Sequence, residues 1–325
     1  MRLRSELELP DSGWNLRHPD GIVALGSCFA GQMGQRLVDR KFRCLVNPFG
    51  ILYHPIPLIR PLLAAIQDDP ALDTDLFEQE GRWRSLHFHS EISHRDRQFL
   101  EQRIAARRSL LRETLERSQT LILTFGTAIG FHHQERQIIV GNCHKLPAAT
   151  FRRETSSLAE LREAMEDLLT ALSHFRPGLK VLLTVSPVRH LRSGIVANST
   201  AKAILRTLCH ELTEAHPAVA YFPAYELMLD DLRDYRFYRE DLMHPTELAE
   251  RYIWEKFSTA FIAPSAQKLV SKWEEVQRDL AHHPSEVAGD AYQTFLKKVS
   301  HKIEALADHL DMGRERKTVE ERRKD

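Results

Sequence analysis

The sequence predicts an α/β fold, a parallel sheet of about five strands covered by helices on both faces, with a helical hairpin appended at its C-terminal end. Three observations predict it. Five short apolar runs recur, each about the length of a strand. Segments of helical periodicity separate them, and such alternation builds a parallel sheet. After Pro264 the pattern changes to apolar residues at alternating spacings of four and three.

The runs are 21–25, 42–46, 120–125, 181–185 and 218–222. Helical segments at 29–40 and 55–66 follow the first two. Segment 158–175 precedes the fourth and ends near Gly178, segment 199–215 lies between the fourth and fifth, and segment 246–261 follows the last. Two regions interrupt the alternation. Residues 75–119 carry a strand pair around "RWRSLHFHS" and a long helix over 95–117. Residues 131–150 read as a hairpin insertion, with "RQIIVGN" as one arm. These segments form an α/β domain over 1–263. Leu269, Trp273, Val276 and Leu280, then Tyr292, Leu296, Val299, Ile303, Leu306 and Leu310, mark the hairpin over 264–312, broken at Pro284 and Gly289. The charged segment 313–325 reads as a disordered tail.

Composition narrows the function. The 325 residues carry 45 Lys plus Arg against 45 Asp plus Glu, so no global basic field points to nucleic acid or an anionic membrane. No apolar run approaches the ~18 residues of a membrane span. The first sixteen residues are charged and broken by Pro10, unlike a secretory signal. Cys28, Cys44, Cys143 and Cys209 are scattered without a CxxC, which fits a reducing cytoplasm. The expected location is therefore cytoplasmic.

In a parallel sheet, ligands bind beyond the carboxyl ends of the strands. The first strand ends at Gly26-Ser27 and a helix follows within a few residues. A serine there sits beside unpaired N–H groups and a positive partial charge, which would stabilise an oxyanion. On position alone it reads first as a helix N-cap. A serine hydroxyl needs a base. Asp241 and His244 stand three apart before the last helix of the α/β unit, after the fifth strand. The carboxylate can fix the imidazole tautomer and leave the other ring nitrogen for the serine. Adjacent Cys28 is a second candidate nucleophile, with His144 as a partner for a thiol mechanism.

Further candidates border the same edge. "TVSPVRH" follows the fourth strand and brings Ser186, Arg189 and His190 there. Arg189 suits a substrate carboxylate or phosphate, or a surface salt bridge. His87 and His89 alternate on the expected strand and point to one side. No carboxylate or Cys pattern completes a metal set, so no metal or cofactor is expected and His89 reads as pocket lining. "RDYRFYRE", 233–240, interleaves arginines with aromatics and reads as a pocket wall.

This arrangement resembles the SGNH (GDSL-type) hydrolase superfamily, whose serine sits in a GDS block after the first strand and whose DxxH block lies near the C-terminus. It resembles more closely the GSCFA family, named for the pentapeptide at 26–30. "NPFGILYHP" (47–55), "TFGTAIGF" (124–131), "NCHKLP" (142–147), "TVSPVRH" (184–190) and "DYRFYREDLMHP" (234–245) also look like that family, over about 15–262. The resemblance implies a three-layer, flavodoxin-like αβα fold. It implies Ser27 as nucleophile, His244 as base and Asp241 as its orienting partner, with Cys28 as packing. It also implies an oxyanion hole of the Ser27 N–H, Gly50 and a third-block asparagine. Ala128 stands at that asparagine position, so Asn142 or Thr127 is the expected substitute.

The expected activity is hydrolysis of an O-acyl or O-acetyl ester through an acyl-serine intermediate. The alternatives are acyl transfer on the same triad and a catalytically weak binding module. The expected substrate is a small-molecule or glycan ester. The C-terminal helices offer a surface for a homo-oligomer.

Overall fold

A computed structural model describes residues 5–9, 13–282 and 290–323. The predicted breaks at Pro284 and Gly289, and Pro10 near the start, lie outside the described residues. The main sheet contains β1 (Gly21–Gly26), β2 (Arg43–Val46), β3 (Ser118–Phe125), β4 (Lys180–Val185) and β5 (Val219–Phe222). All neighbouring pairs are parallel, in the order β5-β4-β3-β1-β2. This is the flavodoxin-like order, in which the strand direction of travel reverses beside β1.

Alternation along each strand explains the two covered faces. Val23, Leu25, Leu121, Leu123, Phe125, Val181 and Leu183 bury into one core. Ile22, Ala24, Ile122 and Leu182 bury into the other. The first core is closed by α2 (Pro55–Gln67), α3 (Arg97–Arg117), α4 (Leu158–Phe175) and α5 (Ile195–Ala215). The second is closed by α1 (Cys28–Asp39) and α6 (Glu247–Phe261), through Phe29, Met33, Leu37, Ile253 and Phe257. Truncating one such buried Leu to Ala typically costs about 2–5 kcal/mol.

The first insertion forms a small antiparallel sheet of Leu76–Gln79, Arg82–Ser85 and Ser93–His94. Its central strand stops at Ser85, so His87 and His89 lie in the following loop and do not share a strand face as expected. His87 is buried between Asp75, at 2.8 Å from Nε2, and Arg60, at 3.1 Å from Nδ1. The second insertion pairs Ile129–His133 with Ile138–Ile139 and also with Phe151–Thr155, giving three strands where a hairpin was expected.

Beyond the sheet domain lie α7 (Pro264–Ala281), α8 (Asp290–Ala307) and α9 (Gly313–Arg322). Trp273, Val276, Leu296, Val299 and Ile303 form their shared core. The helix α9 corrects the expectation of a disordered tail. Val319 is buried in that core, and Glu315 four residues earlier pairs with Lys41 at 2.9 Å. Trp273 Nε1 donates to the Asp39 carbonyl at 2.7 Å, so the bundle seats on the end of α1. Among the described residues no helix is long and apolar enough to cross a membrane.

Candidate active site

The turn after β1 is fixed by backbone geometry. Gly26 has φ +137°, a region that side chains rarely adopt, and a Cβ there would collide with the Thr124 carbonyl. Its N–H donates to Asn47 Oδ1 at 2.8 Å and its carbonyl accepts from Leu52 N–H at 3.0 Å. The next N–H, of Ser27, donates to the Thr124 carbonyl at 3.1 Å. The turn is thereby locked between the loop after β2 and the end of β3.

That lock turns Ser27 inward. Ser27 occupies the N-cap position of α1, but its side chain makes no cap bond. The residue is 0% exposed, and its Oγ is buried without a hydrogen-bond partner among the described residues. Cys28, the first helical residue, is half-buried and lines a cavity of about 460 Å³. Ser27 does not line it. Burial pushes the Cys28 thiol pKa up, while the N–H groups of Phe29 and of Cys28 itself, and the Lys202 ammonium, favour the thiolate.

The Asp241 loop supplies the second half of the site. Asp241 Oδ1 accepts from the N–H groups of Met243 and His244, both at 2.9 Å. Oδ2 lies 2.6 Å from His244 Nδ1. The His244 and Met243 N–H groups, then the imidazole, hold the Asp241 carboxyl down at about 2. An ionised Oδ2 accepts the Nδ1 proton and leaves Nε2 as the basic ring nitrogen. His244 lines the same cavity as Cys28. Arg189 braces this loop, donating from N–H to the Met243 carbonyl at 3.1 Å and from Nη1 to the Leu242 carbonyl at 3.2 Å.

The remaining predicted residues divide into two groups. Thr127, Asn142, His89, Arg189 and His190 line the cavity. Thr127 Oγ1 accepts from Ile129 N–H at 3.0 Å, so its hydroxyl proton can still be donated. Asn142 Oδ1 accepts from His144 N–H at 2.8 Å, which leaves the amide nitrogen as its donor. His89 Nδ1 is buried without a hydrogen-bond partner, 3.6 Å from Glu91 Oε2. Arg189 makes no salt bridge among the described residues, and its guanidinium lies over Tyr238, 5.5 Å from the ring centre.

Gly50 and Ser186 are not cavity residues. The Gly50 N–H closes a turn on the Asn47 carbonyl at 2.8 Å, so it is already spent as a donor. Ser186 is fully buried; its Oγ accepts from Val188 N–H at 3.2 Å. His144 is held by the Ser85 carbonyl at 2.7 Å and does not line the cavity, so it is not brought to Cys28. Ala128 is buried, and its carbonyl accepts from His54 Nε2 at 3.2 Å.

Two groups were missed from sequence. Lys202, on α5, is 1% exposed and donates from Nζ to the Ser186 carbonyl at 2.6 Å. Burial lowers its pKa to about 7, against a raising influence from the Cys28 thiolate. Its signal was spacing: Asn198, Lys202, Leu205, Cys209 and Leu212 fall on one buried helical stripe. Tyr53 lines the cavity and packs edge-on against His190, with ring centres 5.1 Å apart. Burial, and then the charges of Lys202 and His244, hold His190 down at about 4. His190 Nε2 is buried without a partner among the described residues.

A comparison with curated proteins returns no match. Residues 21–257 match the GSCFA family, and residues 273–325 match the description "GSCFA domain protein, C-terminal domain". The first match spans both the turn after β1 and the Asp241–His244 loop, and the chain belongs to the GSCFA family.

Proposed function

We propose that this protein is an acyl-ester hydrolase of SGNH-type plan whose nucleophile is Cys28, with His244 as general base and Asp241 as its orienting partner. One observation carries the reading. Cys28 and His244 line one cavity, and His244 is fixed on Asp241, whereas Ser27 is buried away from it. Counting from Gly26 agrees: the nucleophile of a GDS block is the second residue after its glycine, which is Cys28 here.

The steps balance on these groups. His244 Nε2 accepts the Cys28 thiol proton as the sulfur attacks the ester carbonyl. The tetrahedral oxyanion collapses to a thioester, and the alcohol departs with the proton from His244. Water then gives a proton to Nε2 and attacks the thioester, which releases the acid and restores the thiol. An acceptor hydroxyl in place of water makes the same site an acyltransferase. The donors for the oxyanion are the Cys28 N–H, the Thr127 hydroxyl and the Asn142 amide. Losing one such donor typically costs ~100- to 1,000-fold in rate.

Turnover of a panel of short-chain aryl esters tests the reading. Cys28→Ala and His244→Ala are expected to lose at least about 100-fold in kcat/KM with the fold intact by circular dichroism. Ser27→Ala is expected to stay within tenfold of wild type. Loss in Ser27→Ala with retention in Cys28→Ala would reverse the assignment.

A further inference from the structure

The cavity holds one sign of charge. Its lining includes Arg153, Arg189 and Arg192, and no Asp or Glu. The three arginines come from two places: Arg153 from the strand Phe151–Thr155, and Arg189 and Arg192 from the segment after β4 that includes the turn Leu191–Ser193. A chain with equal acidic and basic residues has no global field to explain the bias. None of the three pairs with a carboxylate among the described residues.

Several arginines elsewhere are paired with carboxylates, while others, such as Arg60 and Arg82, donate to neutral groups. Glu250 pairs with Arg239 at 2.7 Å, Glu226 with Arg206 at 2.6 Å, and Arg108 with both Asp68 and Asp73. The adjoining cavity of about 340 Å³ shares Arg189 but is lined by Asp230 and Asp234 opposite Arg189 and Arg233, so its charge balances. Two carboxylates near the main cavity face its histidines and not its arginines. Asp241 accepts from His244 and Met243, and Glu91 lies toward His89. Arg189 is half-buried, whereas Arg153 and Arg192 are exposed; a cleft lined by one sign of charge still focuses field lines on a ligand. Guanidinium groups match carboxylate and phosphate oxygens in pairs.

We infer that the ester handled at this site carries an anionic group, a carboxylate or phosphate, held by Arg189 and Arg192 with Arg153 contributing to the field. This rests on the proposed function for the identity of the reacting bond, but the charge argument stands on the cavity alone. Binding the anion supplies the counter-charge that the fold omits there. It also draws anionic esters toward Cys28 over neutral ones of equal size.

Alkylation of Cys28 by iodoacetate and by iodoacetamide tests this, read by peptide mass spectrometry at matched ionic strength. The two reagents differ in charge and little in size. The ratio of iodoacetate to iodoacetamide rates at Cys28 is expected to exceed that of free cysteine by about tenfold or more. It is expected to fall toward the free-cysteine value in Arg189→Gln and Arg192→Gln, and by less in Arg153→Gln. A wild-type ratio equal to that of free cysteine overturns the anion inference and leaves the nucleophile assignment standing. If neither reagent alkylates Cys28, the nucleophile assignment fails instead. Thermal unfolding in succinate against chloride, at equal ionic strength, then decides the anion question. A stabilisation that the triple Arg→Gln variant loses supports the inference, and an equal shift in both proteins overturns it.

Discussion

The carboxyl edge of the sheet and the C-terminal helices meet their polar groups in opposite ways. In the helices, Arg316 pairs with Glu304 at 2.6 Å and Lys302 with Asp279 at 2.7 Å, over a core of Trp273, Val276, Leu296 and Ile303. At the edge, Ser27 Oγ, His89 Nδ1 and His190 Nε2 are all buried without partners among the described residues. Each buried group left unsatisfied costs on the order of 1–3 kcal/mol. The edge carries unsatisfied polar groups, two of them on cavity-lining histidines, that the helices lack among the described residues.

Substitutions in the two regions should therefore break different things. Gly26→Ala should have the largest effect, since a Cβ at φ +137° collides with the Thr124 carbonyl and displaces Cys28. The expected result is loss of ester turnover together with a lowered melting temperature. Leu296→Ala removes a fully buried side chain of the bundle and should cost about 2–5 kcal/mol in denaturant unfolding. Turnover per folded molecule should not change. Turnover that falls with Leu296→Ala while stability holds would erase the division.

Titration of stability sharpens the comparison with smaller effects. Burial holds His54, His144 and His190 down at about 4, against an ordinary 6.5. As pH falls through 6.5 the unfolded chain takes up these protons first, while the folded chain resists until about 4. Stability should therefore drop across that window, measured by urea midpoints. Lys202 works in the alkaline range. Its unfolded amine binds a proton below 10.5 and its buried one only below about 7. Wild type should gain stability relative to Lys202→Met as pH rises from about 7 toward 10.5. A difference that is flat across that range would contradict the buried-lysine account.

Much of this was legible in the sequence. The three central strands announce themselves because they are buried on both faces, so their runs are continuous and apolar. Asp241 and His244 were legible because their contact is local, three residues apart in one loop. Which of Ser27 and Cys28 lines the cavity was not. Which of two adjacent side chains faces the crevice is set by the φ of Gly26 and its packing on Thr124, which are long-range facts. Gly50 failed for a similar reason: whether its N–H is free depends on a turn that Asn47 closes. The helix α9 hid in a charged segment because its burial rests on Val319 and on a Glu315 partner that lies far away, at Lys41.

The proposed acyl transfer passes through the sulfur of Cys28. Trapping the acyl-enzyme from a slowly released ester, then mapping the added mass by peptide mass spectrometry, tests it most directly. The expected product is a thioester on Cys28 that survives Ser27→Ala and disappears in Cys28→Ala. An acyl group found on the Ser27 hydroxyl would contradict it.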